Sequence, residues 1–527
     1  MNNFGLKKNS PLEKNYSYII LCTTIFSVLF IALLYKNQSG ITYPIFALIT
    51  MVYVSLVLFK MNVSIKGDSW IYMVAVTLLG VSIFMTDDGR IIFLNKLVMF
   101  VLVVSFTLHQ YYDDNKWDFI TYILNIFRAM FGCVSMADRI IEDGVTHYMP
   151  DKITRKKSGG KGKYVLLGFL ISAPIVVFVL ILLISADSLF SKAIWDFIKL
   201  EFFENYFVDI NSIVVMFILV MGYTYTLMAY ISSGLVKGDI LKKSGEFEPT
   251  VGITIAGVLS FIYALFCGIQ IRYLFMGMMN NNISLPYDVT YSEYARTGFF
   301  QLLFVSVLNM VIVLFSLYKF RKSNVLKGLL MFITMCTFVM IGSSASRMLI
   351  YIKFNYLTYL RIFVLWSLVV IALIMAGVAI NILVKKFPMF KFSLFVVVLL
   401  YIIFSFIRPD AIVAKVNTDN MNKETQYSFF SDTPLYDDYE YLCELSADAA
   451  PYILDGVSPK DYEDIKETLK SLGYAYRYTP SNYEFENNKL LRDNWWCFYL
   501  AKHENTVNNM GIRDFNISRY QLSEYFD

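Results

Sequence analysis

Eight ionisable side chains lie close to the ends of long apolar runs: Asp187, Asp209, Arg272, Glu293, Arg296, Arg347, Lys353 and Arg361. Charges at such depth are costly in a bilayer, so they default to a functional hypothesis. Arginine forks suit phosphate or carboxylate groups, and a nearby carboxylate suits a general base. Gln301, Val305 and Asn309 share one helical face, a thin polar stripe that Gln270 and Asn381 could join. The bland alternatives are equally physical. Helix-end charges cap, snorkel or anchor. Glu293 and Arg296 have the spacing of a local ion pair, and a polar stripe can serve as interhelical hydrogen bonding.

Other chemistries have less in their favour. There is no Walker A loop, no dinucleotide-type glycine fingerprint and no HExxH. His109, His147 and His503 are far apart, which argues against a histidine metal site. Ser446 and Asp448 share a predicted helix, and only the distant His503 could complete a hydrolytic triad with them. No catalytic residue, cofactor or metal is assigned. Cys443 and Cys497 could pair outside a cell, but two buried free thiols are the preferred reading. Cys22, Cys133, Cys267 and Cys336 sit in apolar segments without metal-ligand spacing.

The elements that must position these groups are membrane helices. Of 527 residues, 57% are hydrophobic and 17% charged, with a mean hydropathy of +0.53. Ordinary soluble domains carry about 25% charge. The composition excludes a disordered chain, a disulfide scaffold and a nucleic-acid binder as the main reading. Runs long enough to cross a bilayer occur at 18–35, 41–59, 70–85, 91–108, 164–184, 207–232, 251–276, 297–318, 325–346, 359–384 and 390–407. The third is short, and Lys96 in the fourth can snorkel to the interface. The first reads as a retained helix, because no cleavage site follows it.

Charge sets the orientation. Residues 1–407 carry a net +13 and residues 408–527 a net −9 within the overall +4. With eleven spans and the N-terminus inside, 24 of the 34 basic residues of 1–407 fall on the cytoplasmic side. The stripe Asp118, Thr121, Asn125, Arg128, Gly132, Ser135 and Arg139 makes 117–139 amphipathic. Were it to cross, parity would break the positive-inside bias, so it is predicted to lie on the cytoplasmic surface. The fold class is thus an all-α polytopic membrane protein: domain 1–407 in the bilayer, domain 408–527 a mainly helical soluble unit outside. All eight helix-end charges then map to the outer rim, beneath the acidic tail.

In the tail, Ser458-Pro459 with Tyr462, Ile465, Leu469 and Leu472 and then Gly473 reads as N-cap, N1 proline, apolar stripe and glycine stop. Helices are also predicted at 436–454, 487–501 and 514–526. The tyrosines between 474 and 483 leave a short strand open. No internal repeat is present.

Several motifs occur in an order that resembles the bacterial membrane proteins classed as domain of unknown function 4153 and its relative 4173. Pro174 with Leu182-Leu183-Ile184-Ser185-Ala186-Asp187, and Phe266, Gln270, Tyr273, Leu274 and Phe275, are similar to two of its stretches. So are Tyr291 to Phe300, Ser346-Arg347-Met348 with Tyr351, Leu357-Thr358 with Arg361, Leu445 to Ala449 with Pro451, and Asn516-Ile517-Ser518-Arg519. The resemblance covers most of 164–520. Asn420 and Phe515 depart from residues usual in that family. The resemblance implies a bacterial integral membrane protein and no reaction.

The candidate outer-rim cluster is therefore Asp187, Arg272, Glu293, Arg296, Gln301, Arg347, Tyr351 and Arg361. Three functions stay open. The first is a non-enzymatic plasma-membrane sensor or partner-binding protein. The second is a permease for a small or anionic solute. The third is a membrane-embedded enzyme acting on a lipid-linked or phosphate-bearing substrate. The expected partners are the lipid bilayer and an anionic ligand or envelope protein at the outer face, with no nucleic acid.

Overall fold

The computed structural model describes residues 11–526 apart from 115–116, 118, 149–207, 237–246, 280–290, 321–322, 355, 385–386, 422–437, 472–473 and 475–478. Asp187 and the predicted span 164–184 fall outside the described residues, as does most of the tyrosine-rich stretch that left a strand open. Twelve of the described helices belong to the bundle. They are α1 (Tyr16–Leu34), α2 (Thr42–Lys60), α3 (Trp70–Met85), α4 (Gly89–Tyr111), α5 (Phe119–Gly132), α6 (Arg139–Tyr148), α7 (Val208–Ser232), α8 (Pro249–Met279), α9 (Tyr291–Lys319), α10 (Asn324–Phe354), α11 (Tyr359–Leu383) and α12 (Met389–Ile407). Among the described residues there is no strand, only an isolated bridge between Phe247 and Phe320.

Among the described residues, eleven helices are long and apolar enough to cross a membrane. They are not quite the eleven read from the sequence: α5 with its 3-10 extension, Phe119–Met136, qualifies by length and composition, and 164–184 is not described. The remaining ten coincide. Their apolar residues run all round the helix, which suits one face against protein and the other against lipid. Leu21, Ile25 and Val28 of α1 are accordingly exposed on the bundle surface. α8 and α10 have 31 residues each. At 1.5 Å per residue each reaches about 46 Å, beyond the roughly 30 Å of hydrocarbon.

Buried polar groups join the helices. Asn95 of α4 exchanges hydrogen bonds with Ser405 of α12 at 3.0 and 3.1 Å, and Ser405 meets Ser82 of α3 at 2.5 Å. Such pairs replace the hydrophobic drive that lipid removes.

α1, α2, α3 and α4 alternate in direction. At one end, Met61 and Tyr111 meet at 2.8 Å, Lys60 lies over Tyr18, and Lys391 reaches Asp68. At the other end, the α1–α2, α3–α4 and α10–α11 loops all bond to residues beyond 408. The two flanks of α5 lie at the first of these ends. On its leading side the Tyr122 hydroxyl donates to Asp114 at 3.0 Å; on its trailing side Ile140 accepts from the Tyr16 hydroxyl at 3.1 Å. The polar stripe is divided: Thr121 and Asn125 are buried against the bundle, and Arg128 and Ser135 are exposed.

Arg408 ends α12 in the left-handed region, at φ 53°, and Pro409 opens α13 (Pro409–Met421). The tail continues as α14 (Tyr439–Cys443), α15 (Ala450–Ile453), α16 (Pro459–Ser471), α17 (Asn482–Asn487), α18 (Lys489–Asp493), α19 (Trp496–Asn508) and α20 (Ile517–Ser523). Its core gathers Leu442, Tyr462, Phe485, Phe498, Tyr499 and Leu522. α16 starts where Pro459 fits N1 and Asp461 accepts from the Ser458 amide at 3.2 Å. The predicted helix 436–454 is broken. Ser446 is extended (ψ 170°), because its amide donates to Asp410 and its carbonyl accepts from Tyr499. The segment 487–501 likewise divides, at Asn494, and α19 runs on to Asn508. Cys443 and Cys497 are buried free thiols.

Candidate functional site

The densest set of charged and hydrogen-bonding groups lies at the seam between bundle and tail. It begins with helix chemistry. A helix leaves its last carbonyls without intrahelical partners. α3 ends at Met85, and the tail supplies the donors. Asn516 Nδ2 donates to the carbonyls of Ile83 at 3.2 Å and Thr86 at 2.8 Å, and the Ser518 hydroxyl oxygen lies 2.7 Å from that of Met85. Asn516 Oδ1 accepts from the Ser518 amide at 3.0 Å and so caps α20 as well. The end of α1 is treated alike. Arg513 donates to the carbonyls of Ala32 at 3.0 Å and Tyr35 at 3.3 Å. Gly40 is required beside it: its φ is +118°, and an added Cβ would stand 2.7 Å from the Asp514 backbone.

Two carboxylate centres sit in this seam. Asp448 is completely buried. Its carboxylate accepts from the hydroxyls of Thr86 and Ser518 and from the Asp87 amide at 3.1 Å. Burial pushes its carboxyl up to about 6, against the pull of those donors. Asp87 in turn accepts from Arg519 Nε at 2.6 Å. In the second centre, Arg90 grips Asp88 through Nε at 2.9 Å and Nη2 at 3.0 Å, and reaches Asp410 at 2.5 Å. Its guanidinium lies 3.7 Å over the Tyr359 ring. Asp88 also caps α4, accepting from the Arg90 amide at 2.9 Å.

The seam does not assemble a hydrolytic triad. His503 Nε2 faces the Leu445 carbonyl at 3.0 Å, so that nitrogen carries the proton. Nδ1 points towards Asp87 at 4.0 Å, not towards Asp448. Burial holds His503 below its usual range. The Ser446 hydroxyl is buried with no hydrogen-bond partner among the described residues.

A second cluster lies at the opposite end of the bundle. His109 is clasped by two carboxylates, Nδ1 to Asp114 at 2.6 Å and Nε2 to Asp68 at 2.8 Å. Lys391 stands 3.3 Å from Asp68 and 3.6 Å from Asp114. Both ring nitrogens therefore face carboxylate oxygens. Burial raises the Asp114 carboxyl, but the bond from His109 and the charges beside it bring it below the usual range.

The rim residues are placed as follows. Asp187 lies outside the described residues, and so do the side chains of Arg272, Glu293 and Arg296 on α8 and α9. Gln301 is exposed on the surface of α9. Asn309 is buried and bonds to Tyr263 of α8 at 2.6 Å and Thr337 of α10 at 3.0 Å; Gln270 accepts from Ser343 at 2.7 Å. The stripe is thus used between helices. Arg347, Tyr351 and Arg361 are half-buried, and Arg347 and Tyr351 are one turn apart on α10. Arg361 of α11 stacks on Tyr351 at 4.3 Å, and its Nη1 is buried without a hydrogen-bond partner among the described residues.

The sequence reading missed Thr86, Asp88, Arg90 and Asp410. A signal existed: Thr86-Asp87-Asp88-Gly89-Arg90 puts three charges in one tight inter-helix loop, and Arg90 is among the few basic residues predicted outside.

Serial apolar helices, with a helical cap bonded to the loops at one end, define a multi-pass helical membrane protein. The chain belongs to the family described as Domain of unknown function (DUF4153), whose match spans residues 73–456. That range takes in the Asp88–Arg90–Asp410 centre and Asp448, and stops before Asn516. No curated protein and no solved structure matched the chain.

Proposed function

We propose that this is a non-enzymatic envelope protein of the bacterial plasma membrane, with its N-terminus inside and its tail on the extracytoplasmic face, acting as a sensor or partner-binding protein. The observation that carries this reading is the seam. Its carboxylates and arginines are engaged in holding tail to bundle, where a ligand-driven movement of the tail would be felt by α3, α4 and α11. A coupled interface of this kind is what a two-state sensor needs. A hydrolase would instead need Ser446 and His503 directed at each other and at a substrate. The bonding of Asn309 and Gln270 between helices weakens the permease reading. The ligand fits an anion: the buried Arg361 Nη1, on the guanidinium stacked on Tyr351, lacks an acceptor among the described residues. The same observation favours, as second reading, a membrane-embedded enzyme for a phosphate-bearing substrate.

The test is complementation in a strain lacking the protein, with full-length chain, a chain ending at 407, and Arg361→Ala, each checked for accumulation in the membrane. The shortened chain and the Arg361 variant are expected to fail. Full rescue by the shortened chain would overturn the sensor reading.

A further inference from the structure

Between α1, α2, α4 and α7, and touched by α3, the bundle leaves a partly open cavity of about 690 Å³. That is within the range of sites that hold small ligands. The wall is almost wholly apolar, with Phe26, Phe46, Met99, Val103 and Val220 prominent. Among the described residues its one cation is Lys96, whose ammonium lies 4.8 Å from the Tyr43 ring centroid. Among the described residues the wall holds no carboxylate to neutralise it.

The position of the cation within the bundle is informative. Lys96 lies seven residues into α4, about 10 Å below the end that meets the tail. Tyr43 stands in the first turn of α2, next to Ile41, whose amide donates to the Phe515 carbonyl of the tail at 3.0 Å. From Lys96 the wall follows α4 away from the tail to Thr107, about 16 Å further. Among the described residues the site therefore has one charged group, about 10 Å below the tail-side end of α4, and a long apolar body that passes mid-membrane to about 26 Å. Leu34, on the wall, lies between the two residues whose carbonyls bind Arg513, so the tail contacts the helix turn that bounds the cavity there.

An apolar space of this size excludes water and accepts apolar ligands. A cation at this depth is stabilised by an anion or by snorkelling to headgroups. Both conditions are met by one amphiphile. We infer that the cavity is a binding site for an acyl chain of an anionic phospholipid from the tail-side leaflet, its phosphate held by Lys96. The inference uses neither the seam carboxylates nor the rim arginines, so it stands or falls separately from the proposed function.

Full-length protein released from detergent in a native mass spectrometer tests it, with phosphatidylglycerol and phosphatidylcholine offered in equal amounts. The wild type is expected to retain one phosphatidylglycerol with at least about tenfold preference. Lys96→Gln is expected to bring that preference within about twofold while keeping some lipid. Because a cavity-filling Val103→Trp could misfold, a phosphatidylglycerol with a photoreactive mid-chain group supplies a second readout, with expected adducts between 99 and 107 or between 216 and 228. Equal retention of both lipids by wild type and Lys96→Gln overturns the proposal, as do adducts confined to other helices. It is also overturned if Val103→Cys forms a disulfide in good yield with a cysteine introduced into 164–184, since the chain itself then fills the space.

Discussion

At Asp448 the seam brings a group with an unusual proton affinity into contact with both halves of the chain. An unfolded aspartate titrates near 4, and this carboxyl is raised to about 6 by burial. Between those values the native state binds more protons than the unfolded state. The stability contributed is therefore complete below about pH 4 and lost as pH rises through about 6. At about 1.4 kcal/mol per unit the change is on the order of 3 kcal/mol. His503 runs the other way: burial lowers it, so its contribution is present above about 6.5 and is lost as pH falls. The two partly cancel in the wild type. Asp448→Asn removes the first and leaves the second. Its thermal stability in detergent, relative to wild type, is expected to be at least equal at pH 7.5 and to fall behind as pH drops to 5. A difference curve flat across that range would mean that Asp448 does not titrate there.

Among the elements, α5 poses the sharpest question, since its length and apolarity suit a crossing and its charge pattern does not. Both flanks of the segment bond at the same end of the bundle, Tyr122 to Asp114 before and Ile140 to Tyr16 after. A single crossing would put them at opposite ends. The expectation is a helix lying along the cytoplasmic face. Cysteines placed at Asp113 and at Asp138 should both resist a membrane-impermeant maleimide added to intact cells and react once the cells are opened, whereas one at the exposed Gln38, in the α1–α2 loop, should react at once. Labelling of 113 and 138 from opposite sides would make α5 a span. The apolar runs were legible in the sequence because lipid imposes one local rule, length and apolarity, on each segment separately. The breaks in the tail were not. Ser446 leaves the helix because Asp410 and Tyr499 claim its backbone, and those partners are 36 and 53 residues away. The seam was missed for the same reason: Asp448, Thr86 and Ser518 are remote in sequence, and each alone resembles an ordinary cap or loop residue.

For the whole molecule, the sequence predicts an acidic tail lying over a charged outer rim. The contacts are more selective. The tail holds the bundle mainly by supplying caps to α1 and α3 and by placing Asp410 against Arg90, which Asp88 also binds. Arg90 is therefore the cation shared by two nearly inaccessible carboxylates, one from each half. Its own side chain is 45% exposed, so water offsets part of the ion-pair energy. The larger effect of removing it is to leave Asp88 and Asp410 buried without a counter-charge among the described residues, each keeping only a backbone amide donor. A buried group left unpaired costs about 1–3 kcal/mol. Arg90→Ala should thus raise the population of undocked tail about 5- to 150-fold, and proteolysis of the tail in the full-length protein should accelerate accordingly while the bundle stays intact. Arg90→Lys keeps the charge but loses the fork that grips both carboxylates, so an intermediate rate is expected. Alanine and wild-type proteins cut at equal rates would mean that the caps at α1 and α3 hold the tail without this ion pair.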